Sequence, residues 1–116
     1  MAMPFWRSYC HCRDCRKQTG APVSVFLGWR EEECRFEGDT RKVRRTGMIE
    51  RSFCSKCGTP CDYRDDRLSG EVYVYLGVMD EPESFTPTIH GFESRRLPWL
   101  HIADQLPRCE TFTIER

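Results

Sequence analysis

The sequence predicts a mainly β protein with little helix, and three observations carry that prediction. The apolar runs are short and rich in Val, Phe, Tyr and Ile. Gly and Pro close them off. No long stretch sustains a 3.6-residue period, the signature of an amphipathic helix.

Taken in order, "CRDCRKQTG" is the one segment with the look of a helical turn, and Gly20 ends it. "VSVFLGW" (Val23 to Trp29), "MIERSF" (Met48 to Phe53) and "EVYVYLGV" (Glu71 to Val78) read as strands. "CRFEGD" and "KVRRTG" are shorter strand candidates, separated by a turn at Gly38 and Asp39. "FTPTIHGFE" is a further strand, which Pro87 marks as an edge or a bulge. The final stretch, "LPWLHIADQLPRCETFTIER", alternates prolines with bulky apolar residues and reads as irregular chain laid over the sheets. Trp6, Trp29 and Trp99 are expected in the packing.

At 116 residues the chain is long enough for one core, so residues 1–116 are read as a single domain. Lys plus Arg equals Asp plus Glu, which gives no global attraction to nucleic acid or an anionic membrane. No apolar run approaches the roughly 20 residues needed to span a bilayer, and "MAMPFWRSYC" has no secretory pattern. A reducing cytoplasm is the expected location. There, eight cysteines do not normally pair as disulfides, which leaves metal or redox chemistry.

The cysteines fall mainly into two clusters. "CSKCG" places Cys54 and Cys57 at C-x2-C spacing, where a tight turn aims two sulfurs at one point and Gly58 supplies the flexible backbone. "YCHCRDC" sets Cys10, Cys12 and Cys15 within six residues. Three sulfurs from one short segment leave a fourth coordination position open, the feature that separates a catalytic zinc from a structural one. His11 lies between two of these cysteines and should point away from them. A thioredoxin-like dithiol needs a strand–CxxC–helix context within a βαβ pattern, and the chain offers no such helix.

"YCHCRDCRKQTGAP", "RSFCSKCGTP", "VYVYLGVMDEPESFTPTIH" and "LPWLHIADQLPR" together resemble, in order, the glutathione-dependent formaldehyde-activating enzyme (GFA) family, or centromere-protein-V-like domain. The resemblance runs from about Tyr9 to Arg108. It implies a β-tent fold, with two antiparallel sheets splayed around zinc. It further implies that Cys10, Cys12 and Cys15 hold the catalytic zinc, and that Cys54 and Cys57 form half of a structural zinc site. The family's other half is an upstream C-x-C on a first hairpin that this sequence lacks, so one or two zinc ions per chain are expected, the second site being incomplete. Cys61 is either a third ligand there or, the favoured reading, a buried small hydrophobe. Cys34 and Cys109 belong to no motif.

Members with the named activity are carbon–sulfur lyases that interconvert S-hydroxymethylglutathione with glutathione and formaldehyde. A thiol entering the open position of a three-thiolate zinc would ionise on the metal. Water activation suits such a site less, because three thiolates weaken the Lewis acidity of the ion. His90 is a weaker candidate, as a proton shuttle. Arg41, Lys42, Arg44, Arg45 and Arg51 form a basic stretch that either meets the glutathione carboxylates or is a solvated sheet edge, the latter favoured. The expected partners are a small thiol such as glutathione and an aldehyde. The alternative to an enzyme is a zinc-stabilised binding module without catalysis; methionine sulfoxide reduction is set aside, because Cys109 sits in irregular sequence.

Overall fold

A computed structural model describes residues 3–111. The strands are β1 (Trp6–Cys10), β2 (Ser24–Arg30), β3 (Thr40–Thr46), β4 (Ile49–Cys54), β5 (Pro60–Asp65), β6 (Glu71–Tyr75) and β7 (Ile89–Gly91). The single α-helix among the described residues, α1 (Arg13–Thr19), has seven residues and ends at Gly20, whose φ of 76° is the left-handed cap that glycine adopts without strain. Mainly β with little helix is therefore the architecture. Among the described residues no helix is long and apolar enough to cross a membrane.

The strands hydrogen-bond in the order β3-β4-β5-β6-β2-β1-β7. This is one seven-stranded sheet where two were expected. The seam between β5 and β6 is narrow, with only Asp62 opposite Val74 and Tyr63 opposite Tyr73, so the β3-β4-β5 meander joins the remaining strands through two residue pairs. Neighbours run antiparallel except β1 and β7, which pair in parallel from Ser8 and Ile89 to Cys10 and Gly91. After β6 the chain travels through two 3-10 turns, Leu76–Val78 and Pro82–Ser84, and arrives beside the free edge of β1 in the same direction. Pro87 lies just before this edge strand, where its missing N–H costs no ladder bond.

Side-chain alternation along β2 and β6 builds two cores, one on each face of the sheet. Phe26, Tyr73 and Tyr75 lie with Cys15 on one face, against Trp6, Cys10, Cys12, Tyr63 and Leu68. Leu27, Trp29, Val72 and Val74 form the other, with Cys34 and Phe85 packed against it. Both strands are covered on both sides, which is why they read as continuous apolar runs. Gly28 belongs to the first face. A Cβ there would lie 2.8 Å from Tyr73 Cε1 and 2.9 Å from Trp6 Cβ, so the glycine makes room for the tyrosine ring.

Three expectations need correction. "CRFEGD" forms no strand: Cys34 alone of that segment packs into a core, and Phe36 is 48% exposed, so no buried face organises it. The run from Glu71 leaves the sheet at Tyr75 rather than Val78. Trp99 is 65% exposed and takes no part in the core, whereas Trp29 is buried. The sequence reading also missed β5, "PCDYRD", because its charges disguise it. Asp62 and Asp65 are buried there, Asp65 against the Arg67 fork at 2.7 and 2.9 Å.

Candidate metal centre

Cys10 closes β1, Cys12 is the N-cap of α1, and Cys15 sits in the first helical turn. In extended chain, residues i and i+2 share a face, so Cys10 and Cys12 point together and His11 points away. The helix then turns Cys15 back toward both. Cys10 Sγ lies 3.5 Å from Cys15 Sγ, and Cys12 Sγ lies 2.9 Å from it. All three sulfurs lie within 4.8 Å of one another. The Cys15 backbone N–H donates to Cys12 Sγ at 3.3 Å, the capping bond of the helix.

These contacts sort the three thiols. Hydrogen bonding with Cys10 and Cys15 pulls Cys12 down to about 3, against burial, helped by the Cys15 N–H and the charge of Arg51. Cys15 is pushed up to about 12; the Cys10 bond lowers it, but the bond to Cys12, burial and the Cys12 charge outweigh that. Cys10 is raised by its bond to Cys12, then by Cys15 and burial. Cys12 is the most acidic of the three, and it caps the helix N-terminus, where backbone dipoles favour an anion.

The donor set fits a soft divalent ion. In a tetrahedral zinc site with Zn–S near 2.3 Å, sulfurs stand roughly 3.8 Å apart. The Cys10–Cys15 separation is close to that, and Cys12 needs to spread by about an ångström. Three sulfurs crowded this closely have only weak S–H donors to offer one another, whereas a cation would satisfy all of them. Beside them opens a cavity of about 220 Å³, lined by the three cysteines, Asp14, Ile49, Arg51, Tyr63, Arg67 and Phe92. Phe92 has a φ of 55°, in the left-handed region that a bulky residue enters only under constraint. Burial raises Tyr63 well above its ordinary value, keeping this phenol protonated.

The second cluster is looser. Cys54 ends β4, and its carbonyl accepts from the Gly58 N–H at 2.9 Å, with Gly58 at φ 79°, so the expected knuckle turn is present. Cys57 is exposed, and the Thr59 hydroxyl 3.0 Å away pulls its thiol down. Cys61 is half-buried on β5, with its S–H aimed at the Thr59 carbonyl at 3.3 Å. Among the described residues, Cys54, Cys57 and Cys61 do not converge as Cys10, Cys12 and Cys15 do.

Two residues stand apart from their sequence reading. His11 points away from the cysteines as expected, but into the protein: it is fully buried, with Nε2 2.9 Å from His90 Nδ1. His90 in turn lies 2.9 Å from Asp104 Oδ2 and stacks on Tyr9. Its ring is not among the groups lining the cysteine cavity. Arg51 was grouped with the basic stretch, whose other members are exposed. It is 3% exposed and reaches inward to Cys15. Period-2 counting along "MIERSF" places Arg51 on the opposite face from Ser52, and on that face it meets the half-buried Asp14 carboxylate at 2.7 Å and the Cys15 sulfur at 3.5 Å.

A family model described as glutathione-dependent formaldehyde-activating enzyme matches residues 1–95. The match stops short of the "LPWLHIADQLPR" segment. A comparison with curated proteins finds no match.

Proposed function

The chain belongs to the glutathione-dependent formaldehyde-activating enzyme family, and from that membership and the site geometry we propose that residues 1–116 act as one zinc-dependent carbon–sulfur lyase domain. It would interconvert S-hydroxymethylglutathione, or a related thiol adduct, with the free thiol and formaldehyde. One observation carries the reading: three thiols converge at a helix N-terminus beside a cavity open to a small substrate. The proposed ligands are Cys10, Cys12 and Cys15, with Cys54 and Cys57 as a second, incomplete set.

Cys10, Cys12 and Cys15 would hold the ion and leave one position free, where zinc would lower the pKa of an entering thiol. In the adduct-forming direction the sulfur–carbon bond forms as the carbonyl π bond opens, and the thiol proton ends on the former carbonyl oxygen. The lyase direction reverses each change. The chain supplies the surroundings. Ile49, Tyr63 and Phe92 give the cavity an apolar wall. Tyr63, a protonated phenol in the cavity lining, would donate to the developing alkoxide, a role for which His90, outside that lining, is less well placed. Arg67, held by Asp65, stands at the same cavity as a cation for a substrate carboxylate. A reducing cytoplasm would keep the eight cysteines as the free thiols they are here.

Exchange NMR tests the activity, by following the addition of glutathione to formaldehyde with and without zinc-loaded protein at equal thiol concentration. The expected result is faster exchange with the protein present. A folded, metallated chain that leaves the exchange rate unchanged would make this a non-catalytic zinc-stabilised module.

A further inference from the structure

Arg51 lies on β4 at the bottom of the cysteine cavity, with its side chain 3% exposed. Each nitrogen of its fork has a partner. Nε and Nη2 donate to Asp14 Oδ2 at 3.0 and 2.7 Å, Nη1 donates to Tyr75 Oη at 2.8 Å, and Nη2 also lies 3.5 Å from Cys15 Sγ. The guanidinium sits 5.3 Å over the Tyr63 ring. Asp14 is the residue immediately before Cys15 on α1, and its other oxygen takes Arg45 Nε at 3.1 Å.

An ion pair with Asp14 alone has no need of this depth. Desolvating a guanidinium is expensive, and a single carboxylate at the surface would hold it at lower cost. The position makes sense when the charge of the loaded centre is counted. Three thiolates and one divalent cation sum to −1. Arg51, 3.5 Å from the Cys15 sulfur, offsets that −1, while Asp14 is met at its other oxygen by the exposed Arg45. Without Arg51 the centre would stand as an uncompensated anion beside another carboxylate, in a low-dielectric core. An N–H directed at a ligand sulfur also draws electron density from it, so the metal keeps part of the electrophilicity that three thiolates would otherwise quench.

We propose that Arg51 is a positioning residue of the three-thiolate centre: it fixes the Cys15 sulfur and balances the negative charge of the loaded site. The inference rests on the metal reading given above, and it assigns to Arg51 neither a surface role nor contact with the carboxylates of the substrate.

Cobalt(II) serves as the probe, because its thiolate charge-transfer band reports the donor strength of the sulfurs. In Arg51→Met the band moves to longer wavelength and cobalt affinity falls by roughly tenfold to a hundredfold, the usual effect of losing a partner behind a ligand. Arg51→Lys keeps the buried charge opposite Asp14 and so protects the fold; it recovers part of the affinity, while the band stays shifted, because an ammonium cannot serve Asp14, Tyr75 and Cys15 together. In the unaltered protein loaded with NMR-active cadmium, a side-chain N–H of Arg51 shows scalar coupling to the metal through the N–H···S bond. Folded variants with wild-type band and affinity, or no such coupling in the unaltered protein, overturn the proposal. A wild-type protein with no charge-transfer band, or a Cys12→Ser variant that keeps it, refutes the metal centre itself instead.

Discussion

His11 and His90 meet nitrogen to nitrogen, Nε2 to Nδ1 at 2.9 Å, with both side chains fully buried. Their ring centroids stand 5.2 Å apart and the planes lie 16° from parallel. That is about the widest separation a 2.9 Å contact allows, so the nitrogens face each other head-on. Glu93 Oε2 lies 3.7 and 3.9 Å from the two nitrogens, and the three residue types would suit a metal. Two lone pairs aimed at one another cannot converge on a third point, however. The pair is a hydrogen bond. The Asp104 carboxylate accepts from His90 Nε2–H, which leaves His90 Nδ1 to accept from His11 Nε2–H.

His90→Ala therefore strands a buried His11 N–H and removes a ring stacked on Tyr9 at 4.5 Å. The expected loss is about 2–4 kcal/mol of stability, read from the shift of a urea transition. Metal content of the folded fraction should not change, and a fall would show that these rings ligate an ion after all.

Acid should undo the Asp104 bond. The hydrogen bond from His90 holds the Asp104 carboxyl down at about 2, with help from the Leu106 N–H and Arg108. A carboxyl lower in the folded than in the unfolded chain stabilises the fold above the ordinary value near 3.9. That contribution is lost as pH falls from about 4 toward 2. Thermal melts across this window should converge for wild type and Asp104→Asn, with wild type the more stable at the upper end. Parallel curves would mean that the ionised carboxylate contributes nothing.

Gly28→Ala places a methyl group against Tyr73 Cε1 and Trp6 Cβ at 2.8 and 2.9 Å. Overpacking of this kind costs about 1–3 kcal/mol. Tyr73 stacks on Tyr63 at 5.0 Å, so the displacement passes to a wall of the cysteine cavity. A lower urea midpoint at unchanged slope is the expected result.

Two cysteine substitutions separate the clusters. Cys12→Ser removes the helix-capping sulfur that binds the Cys15 N–H, along with one of three converging ligands, and should abolish both metal uptake by the first cluster and rate enhancement. Cys61→Ser keeps a donor toward the Thr59 carbonyl and should cost less than about 1 kcal/mol. Equal metal content in Cys61→Ser and wild type is the check; a fall would assign Cys61 to a metal.

The sequence by itself determined whatever depends on near neighbours along the chain. Strand periodicity placed β2, β4 and the first part of β6; a glycine at the right offset ended α1; and the Cys10–Cys12–Cys15 spacing implied three sulfurs converging on one point. Only the tertiary structure decided what lies behind that cluster. Arg51 is 36 residues from Cys15, and His90 is 79 from His11. A charged or titratable side chain reads from sequence as solvated, since burial without a partner is so costly. Arg51, Asp62 and His90 are buried because folding brings a partner or a packed face to each, and no local pattern of residues records that meeting.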